Sequence, residues 1–367
     1  LYPEMTRETD PLLKNRQQPQ PQPLVKPLFK KLLTIIIPLS LIIISSYYIM
    51  THHHHHHHQN DPNNTDGPIL TLRLYTNNIR FDNKNYPDKY EQPWEIRKFQ
   101  SINSMQFNTF QGNGNIICLQ EVLHNQLIDI LQGLNDIQEW NYYGVGRTDG
   151  EKSGEFAPIL YKDQDFKIIE NSTFWLSPTP HVPSKGWDAA LERIVTMVTF
   201  QSRLNPEIKF NIFNTHYDHR GVEARRKSSQ LIVDKMKNYN DYPSFLCGDF
   251  NTEPNDEPYH ILTKAGFKDG KILIDKKSAY GFETTFTGFD INNEPISRID
   301  YIWSPSFTRI LSNSNNDTNQ DSDDDNDNDE SYEVTLKQFG ILSNWFNGHH
   351  FSDHRPVVST YELRKKK

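Results

Sequence analysis

Cysteine is scarce in this chain, with two residues among 367. A disulfide framework and a zinc site built from four thiolates are therefore excluded. Apolar residues are also sparse, with a hydrophobic fraction of 35% and a mean hydropathy of −0.74. These values are low for a chain that packs along its whole length, so we expect part of it to be low-complexity sequence outside any core.

Basic residues are absent from one acidic stretch. Between Ser312 and Ser331 the chain has eight acidic residues and no lysine or arginine, and the net charge of the whole chain is −8. The rest of the sequence is therefore balanced, and net charge excludes no class of partner. We interpret residues 312–331 as a disordered acidic insertion in the fold.

The N-terminal part predicts a membrane anchor. Residues 1–31 form a Pro- and Gln-rich tail that we expect to be disordered, and residues 32–50 contain no charge. A helix of that length spans roughly the 30 Å hydrocarbon core of a bilayer. A signal-peptide core and a buried helix are the alternatives. Lysines precede the segment and none follows closely, which predicts a single-pass protein with a cytosolic tail and a lumenal or extracellular catalytic domain.

Residues 51–68 read as a polar linker that contains seven consecutive histidines, His52 to His58. Whether this tract is engineered, natural or metal-binding stays open, and we assign it no catalytic role. Residues 69–363 have a globular pattern, and residues 364–367 read as a basic tail. Short β-rich runs alternate with helical patterns, for example around 96–105, 127–134 and 222–238, which predicts an α/β or α+β domain.

Polar residues that suit catalysis recur at the ends of the predicted strands. Asn78, Glu121, His216 and Asp249 each end an apolar run. Strand ends that meet at one edge of a sheet bring such groups together. Carboxylate and amide oxygens suit Mg²⁺ or Mn²⁺, and histidines supply a base or a cation for phosphate. The set therefore predicts metal-assisted transfer of a phosphoryl group to water.

Six short motifs occur in order along the globular part. They are Asn78-Ile79, Gln120-Glu121, Thr215-His216, Gly248-Asp249-Phe250-Asn251, Arg298-Ile299-Asp300-Tyr301 and Ser352-Asp353-His354-Arg355-Pro356. Together they resemble the endonuclease/exonuclease/phosphatase superfamily with its DNase I-like fold. More narrowly, they resemble a microbial and fungal subgroup related to carbon-catabolite-repressor-type deadenylases. The resemblance implies a four-layer sandwich of two facing mixed sheets flanked by helices.

The resemblance also implies the metal ligands. Glu121 is the implied principal ligand of Mg²⁺ or Mn²⁺, Asn78 lies beside it, and Asp353 is a further candidate ligand. Whether one or two metal ions act stays open.

The implied catalytic residues surround the scissile phosphate. Asp249 orients or deprotonates the attacking water, and Asn251 and His216 hold phosphate oxygens. His354 acts on the water or the phosphate, with its tautomer set by Asp300 or a neighbouring carboxylate. The choice between Asp249 and His354 as the base is left open.

Five further residues are candidates for the rim that contacts the substrate. They are Arg147, Glu155, Trp187, His219 and Arg220. Each also has a structural interpretation, since a loop tryptophan more often packs and charged residues near a helix usually face water.

The sequence favours a membrane-anchored, Mg²⁺-dependent hydrolase of phosphate esters, most specifically a 3′-to-5′ exonuclease acting on single-stranded RNA. A phosphatase or phosphodiesterase for small esters or lipid head groups is the alternative. A non-catalytic anchored binding protein is a third hypothesis. No protein partner can be inferred.

Overall fold

Two large β-sheets, one two-stranded sheet and five helices build residues 67–310 and 331–367, the part of the chain that this computed structural model describes. The helices are α1 (Trp94–Thr109), α2 (His124–Asn135), α3 (Val222–Lys237), α4 (Glu257–Lys264) and α5 (Gly270–Leu273). The strands are β1 (Ile69–Asn78), β2 (Asn115–Gln120), β3 (Asn141–Tyr143), β4 (Ile159–Tyr161), β5 (Phe166–Trp175), β6 (Ile194–Ser202), β7 (Lys209–His216), β8 (Ser244–Asp249), β9 (Lys268–Asp269), β10 (Ala279–Gly281), β11 (Asp300–Ser304), β12 (Arg309–Ile310), β13 (Tyr332–Ile341), β14 (Trp345–Phe346), β15 (His349–His350) and β16 (Val357–Lys365).

Both large sheets are mixed. The first has the order β10-β13-β16-β1-β2-β4-β3, with β12 paired to β13, and the second has the order β5-β6-β7-β8-β11-β9. The neighbours β1 and β2 are parallel, as are β7 and β8. Each sheet therefore has one central pair of parallel strands, and these pairs carry most of the predicted site residues at their carboxyl ends.

The inner faces of the two sheets form one apolar core. Leu72 and Leu74 of β1 pack in the same cluster as Phe210 and Ile212 of β7, and all four are fully buried. Their spacing of two residues follows from the alternation of side chains along a strand. Burying these faces against each other is the main favourable contribution to the association of the sheets.

The outer faces are covered by helices. Met105 of α1 and Leu127 of α2 pack against strands of the first sheet, and Ile232 of α3 and Leu262 of α4 pack against the second. The layers are therefore helix, sheet, sheet, helix. The predicted four-layer sandwich of the DNase I-like type is confirmed.

A buried polar contact joins the sheets beneath the site. The amide of Gln120 at the end of β2 donates to the side-chain oxygen of Asn214 in β7 at 2.7 Å. The Asn214 amide donates in turn to the carbonyls of Leu119 and Pro158 at 2.8 and 2.9 Å. Since these groups are fully buried, the contact fixes the offset between the two sheets.

The boundaries of the described part agree closely with the sequence pattern at one end only. Strand β1 begins at Ile69, where the globular domain was expected to begin. The predicted basic tail at 364–367 needs correction, because β16 continues to Lys365 and Arg364 pairs with Ile69. The segments 1–31 and 32–50, the histidine tract and nearly all of the 312–331 insertion lie outside the described residues.

The predicted localisation is wrong as far as the structure tests it. Across residues 67–310 and 331–367, no helix has both the length and the apolar character needed to cross a bilayer. The segment 32–50, on which the prediction rested, lies outside these ranges. We therefore withdraw the prediction of a single-pass membrane protein with a lumenal or extracellular domain.

Candidate active site

The strand register brings the predicted residues to one edge. Asn78 is paired with Gln120, the residue before Glu121, and His216 is paired with Asp249 in the parallel β7–β8 pair. Asp300, the first residue of the antiparallel strand β11, is also paired with Asp249. Because the two sheets face each other, these strand ends form a single polar cluster.

Glu121 lies at the centre of the first sheet's contribution. Its two carboxylate oxygens accept hydrogen bonds from the Asn78 amide at 3.0 Å and from the backbone N–H of Phe81 at 3.1 Å. Its φ of 59° is left-handed, a conformation that costs energy in a residue with a side chain and is typical of functional sites. Burial and Glu155 raise the pKa of Glu121, but His216, Arg80 and the Asn78 hydrogen bond outweigh them and hold it below its usual value.

Asp249 links the two sheets. Its Oδ2 accepts from the Asn78 amide at 2.9 Å, and its Oδ1 accepts from the backbone N–H of Asn251 at 2.9 Å. Burial raises the pKa of Asp249 and the nearby Asp300 adds to the rise, while His216 and His354 oppose it. A carboxylate with a raised pKa is a better proton acceptor than an exposed one.

His354 is held by Asp300. Its Nδ1 lies 3.1 and 2.9 Å from the two carboxylate oxygens, and its Nε2 lies 3.7 Å from Oδ2 of Asp249. Burial alone would lower the pKa of His354, but Asp300 and Asp249 raise it well above its ordinary value. The raised pKa favours the protonated imidazole, which Asp300 orients toward Asp249.

His216 and Asn251 form a second contact on the other side of Asp249. The Asn251 amide nitrogen lies 3.1 Å from Nε2 of His216. This ring nitrogen of His216 is also 3.4 Å from Oδ2 of Asp249. Burial and Arg193 lower the pKa of His216 to about 3, so this imidazole is neutral. Asn251 has a left-handed φ of 45°, like Glu121.

Asp353 is 6% exposed and lies beside Arg80, whose Nη1 is 3.8 Å from Oδ2. Burial raises the pKa of Asp353 to about 6; Glu121 adds to the rise, and His354 and Arg80 oppose it. The nearby cations therefore do not fully offset the cost of burying a negative charge on Asp353, which lies on the same side of the site as Glu121.

The cluster has the donor chemistry of a metal site. Asp249, Asp300 and His354 offer ligand atoms that lie within 4.8 Å of one another. The predicted ligands Asn78, Glu121 and Asp353 are not part of this group. The Oδ1 of Asn78 accepts the backbone N–H of Arg80 at 2.9 Å. With oxygen donors from several carboxylates and no thiolate, the residues fit a hard divalent cation.

The five predicted rim residues do not all reach the cluster. Arg147 donates to both oxygens of Glu155 at 2.7 and 2.9 Å, and Oε2 of Glu155 lies 3.7 Å from Nδ1 of His216. His219 and Arg220 are exposed on the loop between β7 and α3, and Trp187 is 37% exposed. Within the described chain, neither Trp187 nor Arg220 has a side-chain hydrogen bond to the cluster.

Two buried residues of the site are absent from the sequence prediction. Arg193 is 3% exposed and lies 3.4 Å from Oδ2 of Asp218, which is 1% exposed. Asp218 also accepts from the backbone N–H groups of Arg220 and Gly221. The available signal was Arg193 itself, a charged residue directly before the apolar strand β6.

A pocket of about 520 Å³ opens beside the cluster. Its lining includes Phe81, whose N–H contacts Glu121, and Glu155, which lies next to His216. Its other polar lining residues are Asp82, Asn83, Lys84, Asn85, Asn125, Arg147, Thr148 and Glu192. A volume of this size is typical of sites for small molecules.

Comparisons with known proteins agree with this arrangement. The model of the Endonuclease/Exonuclease/phosphatase family matches residues 78–354, and every catalytic and metal-binding residue predicted above lies within this range. A crystal structure of an endonuclease/exonuclease/phosphatase family protein from Bacteroides thetaiotaomicron is 29% identical, with a TM-score of 0.66, and covers 82% of this chain and 100% of that one. A second structure, the mannosyl-6-phosphatase Bt3783 of Bacteroides thetaiotaomicron VPI-5482, is 29% identical with a TM-score of 0.64 and covers 79% and 99% of the two chains.

A viral relative is similar over a shorter stretch. The uncharacterized protein L388 of Acanthamoeba polyphaga mimivirus is 34% identical over 169 residues, which are 44% of this chain and 60% of that protein. The chain thus matches less than two thirds of this relative's length. The narrower resemblance to deadenylases stays a prediction. From the family match and the shared fold, this chain belongs to the Endonuclease/Exonuclease/phosphatase family, whose members are enzymes that hydrolyse phosphate esters.

Proposed function

We propose that this enzyme is a metal-dependent phosphatase that acts on phosphorylated sugars. The observation that carries the proposal is the 520 Å³ pocket, whose lining residue Phe81 donates to Glu121 and whose lining residue Glu155 lies 3.7 Å from His216. Its walls combine hydrogen-bond acceptors, such as Asp82 and Glu192, with donors such as Asn125. Since every sugar hydroxyl both donates and accepts, a wall of mixed carboxylates and amides suits such a ligand.

The charge of the pocket favours a sugar over a nucleic-acid strand. The lining has three acids, Asp82, Glu155 and Glu192, against two bases, Lys84 and Arg147. A groove that follows a polyphosphate backbone requires an excess of positive charge. The mannosyl-6-phosphatase supports the proposal further, because it is 29% identical and nearly its whole length is covered.

The metal ion we propose is Mg²⁺ or Mn²⁺. Glu121 would hold it, with Asn78 and Asp353 as further ligand candidates, since their oxygen donors match the preference of these ions. When bound, the ion would neutralise phosphoryl charge and favour ionisation of water.

We assign the base to Asp249 and not to His354. Asp300 raises the pKa of His354 and so favours its protonated form, which has no free lone pair to accept a proton. Asp249 has a raised pKa and lies between the two histidines, so it is suited to orient and deprotonate the attacking water. His354 contributes a fixed positive charge that favours the transition state.

A panel of substrates tests the proposal on the full chain with Mg²⁺. We expect phosphate release from hexose 6-phosphates at a kcat/KM at least about tenfold higher than from glycerol phosphate, because the pocket contacts the sugar ring. Equal rates on all monoesters would remove the sugar assignment, and no release from any monoester would remove the phosphatase assignment.

An RNA exonuclease is the second candidate. The observation in its favour is the partly exposed Trp187. Its neighbour Asp188 accepts a hydrogen bond from the backbone N–H of Ala224, which places Trp187 near the start of α3. The exposed Arg220 lies just before the same helix. An aromatic ring and an arginine can stack a base and bind phosphate. Against it, Arg226 pairs with Glu223 and Arg225 donates to the Asp218 carbonyl, so these two arginines near Arg220 already have partners. A ladder shortening from the 3′ end of 5′-labelled single-stranded RNA would establish this activity.

A further inference from the structure

Arg193 has one nitrogen without a partner. Its Nε lies 3.4 Å from Oδ2 of Asp218, and its Nη2 lies 3.0 Å from Nδ1 of His219. Its third nitrogen, Nη1, is buried and makes no hydrogen bond. A buried guanidinium N–H without an acceptor is costly, so its persistence points to a ligand that supplies the acceptor.

His216 presents a second donor of the same kind. The Asn251 amide nitrogen donates to the Tyr217 carbonyl at 3.0 Å, so the same nitrogen faces Nε2 of His216, 3.1 Å away, as a donor. Nε2 is therefore an acceptor, and Nδ1 carries the proton. That Nδ1 is also buried without a hydrogen-bond partner, and the nearest carboxylate oxygen, of Glu155, is 3.7 Å away. The site therefore holds two buried donors with no acceptor.

Arg193 and His216 lie on neighbouring chain segments. Val195 is paired with Thr215 in the antiparallel β6–β7 pair, so Arg193, two residues before Val195, lies beside the end of β7, where His216 is located. The charge of Arg193 also lowers the pKa of His216. Arg147, the other arginine acting on His216, already gives both terminal nitrogens to Glu155. Arg193 is thus a buried cation beside His216 that still has an N–H to give.

Asp218 and His219 fix the position of this guanidinium. The Asp218 carboxylate also accepts from the backbone N–H groups of Leu191 and Gly221 at 3.2 and 2.7 Å. The Asp218 carboxylate therefore connects Arg193 to the backbone at Leu191 and at Gly221. The accepting Nδ1 of His219 places that ring's proton on Nε2. A donor held this firmly loses little entropy on binding.

We propose that Arg193 and Nδ1–H of His216 together bind a phosphoryl oxygen that a monoester has and a diester lacks. A terminal phosphoryl group has three non-bridging oxygens and about two negative charges near neutral pH, whereas a diester has two such oxygens and one charge. An additional buried guanidinium matches the third oxygen and the second charge. Arg193 would thereby make the site selective for monoesters. This inference rests on the proposed phosphatase function.

The test compares two esters with the same leaving group. Full-length wild type and Arg193→Gln are assayed with p-nitrophenyl phosphate and bis(p-nitrophenyl) phosphate, with Arg226→Gln on the surface of α3 as the matched control. We expect Arg193→Gln to lose about 100-fold in kcat/KM on the monoester and less than about fivefold on the diester. Arg193→Lys, which keeps the charge, should fall between, and Arg226→Gln should match wild type. Equal losses on both esters would overturn the inference.

Two further results keep the inference separate from the proposed function and from folding. If Arg193→Gln is unfolded by thermal melting, the ratio in Arg193→Lys decides, and an unchanged ratio overturns the inference. If wild type hydrolyses no monoester, the proposed function fails, and ligand-dependent melting replaces turnover. We then expect inorganic phosphate to stabilise wild type more than dimethyl phosphate does, with a smaller difference in Arg193→Lys; no difference in wild type would contradict the inference.

Discussion

Nδ1 of His354 lies within hydrogen-bond distance of both carboxylate oxygens of Asp300, at 2.9 and 3.1 Å, in a buried contact between the two sheets. Asp300 begins β11, and His354 lies just before β16, so the contact forms only when the two sheets are assembled. It both orients the ring and stabilises its charge. The chemistry of the site therefore depends on the alignment of the sheets.

Asp300→Asn should weaken turnover and shift its pH dependence. The Asp300 charge raises the pKa of His354, so its removal lowers that pKa. The cationic form is then lost as pH rises through a lower value, and the alkaline decline in kcat/KM should begin at lower pH. We expect a loss of about 10²- to 10³-fold at neutral pH. Profiles of kcat/KM against pH check this, with exposed Asp275→Asn as the control; an unshifted alkaline limb would contradict it.

Asp353→Asn should stabilise the metal-free protein at alkaline pH while reducing activity. Burial raises the pKa of Asp353 from 3.8 to about 6 in the folded chain, so the folded state favours the protonated acid. Its ionisation costs on the order of 2–3 kcal/mol of stability above pH 6, and the cost vanishes below the unfolded value. Urea unfolding in EDTA should thus show Asp353→Asn more stable than wild type at pH 8 and nearly equal at pH 4. A variant less stable than wild type at pH 8 would refute this.

Asn214→Leu should lower the free energy of unfolding, because it removes the buried polar contact between the two sheets. The substitution leaves the Gln120 amide and the carbonyls of Leu119 and Pro158 without their buried partner. We expect a loss of about 2–4 kcal/mol in the free energy of unfolding. Urea titration measures it, and Asn171→Leu on the exposed strand β5 serves as the control. A loss below about 1 kcal/mol would show that the inter-sheet contact is dispensable.

Glu192→Ala should separate recognition of the sugar from hydrolysis. Glu192 lines the pocket beside Glu155 and is not part of the buried cluster. We expect KM for a hexose 6-phosphate to rise about tenfold, with little change for p-nitrophenyl phosphate, which has no hydroxyls to bind. Exposed Glu207→Ala is the control, and parallel changes on both substrates would exclude a role for Glu192 in binding the sugar.

The sequence predicts the centre of the site well because its residues end strands. Asn78, His216 and Asp249 are the last residues of β1, β7 and β8, and a change from apolar to polar residues is visible in one dimension. Arg193 was missed because its role comes from contacts with Asp218 and His219, some 25 residues away along the chain. No local pattern marks such contacts.

The end of β16 and the packing of α1 show where tertiary contacts override the local sequence pattern. The end of β16 looked like a basic tail, because Arg364 and Lys365 are charged, yet their backbones pair with β1 and β13. In α1 two of the apolar residues at every third position, Ile96 and Phe99, are 46% and 62% exposed. Arg97 in the same helix is fully buried and donates to the carbonyls of Ile79 and Phe351. Tertiary hydrogen bonds decide which face of that helix is inside.

The most direct test of metal-dependent hydrolysis at this centre is phosphate release by the full chain and by Glu121→Gln, with Mg²⁺ and with EDTA. We expect EDTA and Glu121→Gln each to reduce turnover by about 10³-fold or more, because Glu121 is the proposed principal ligand. Mg²⁺ should raise the melting temperature of wild type and not of Glu121→Gln. Turnover by a folded Glu121→Gln within about tenfold of wild type would contradict the account.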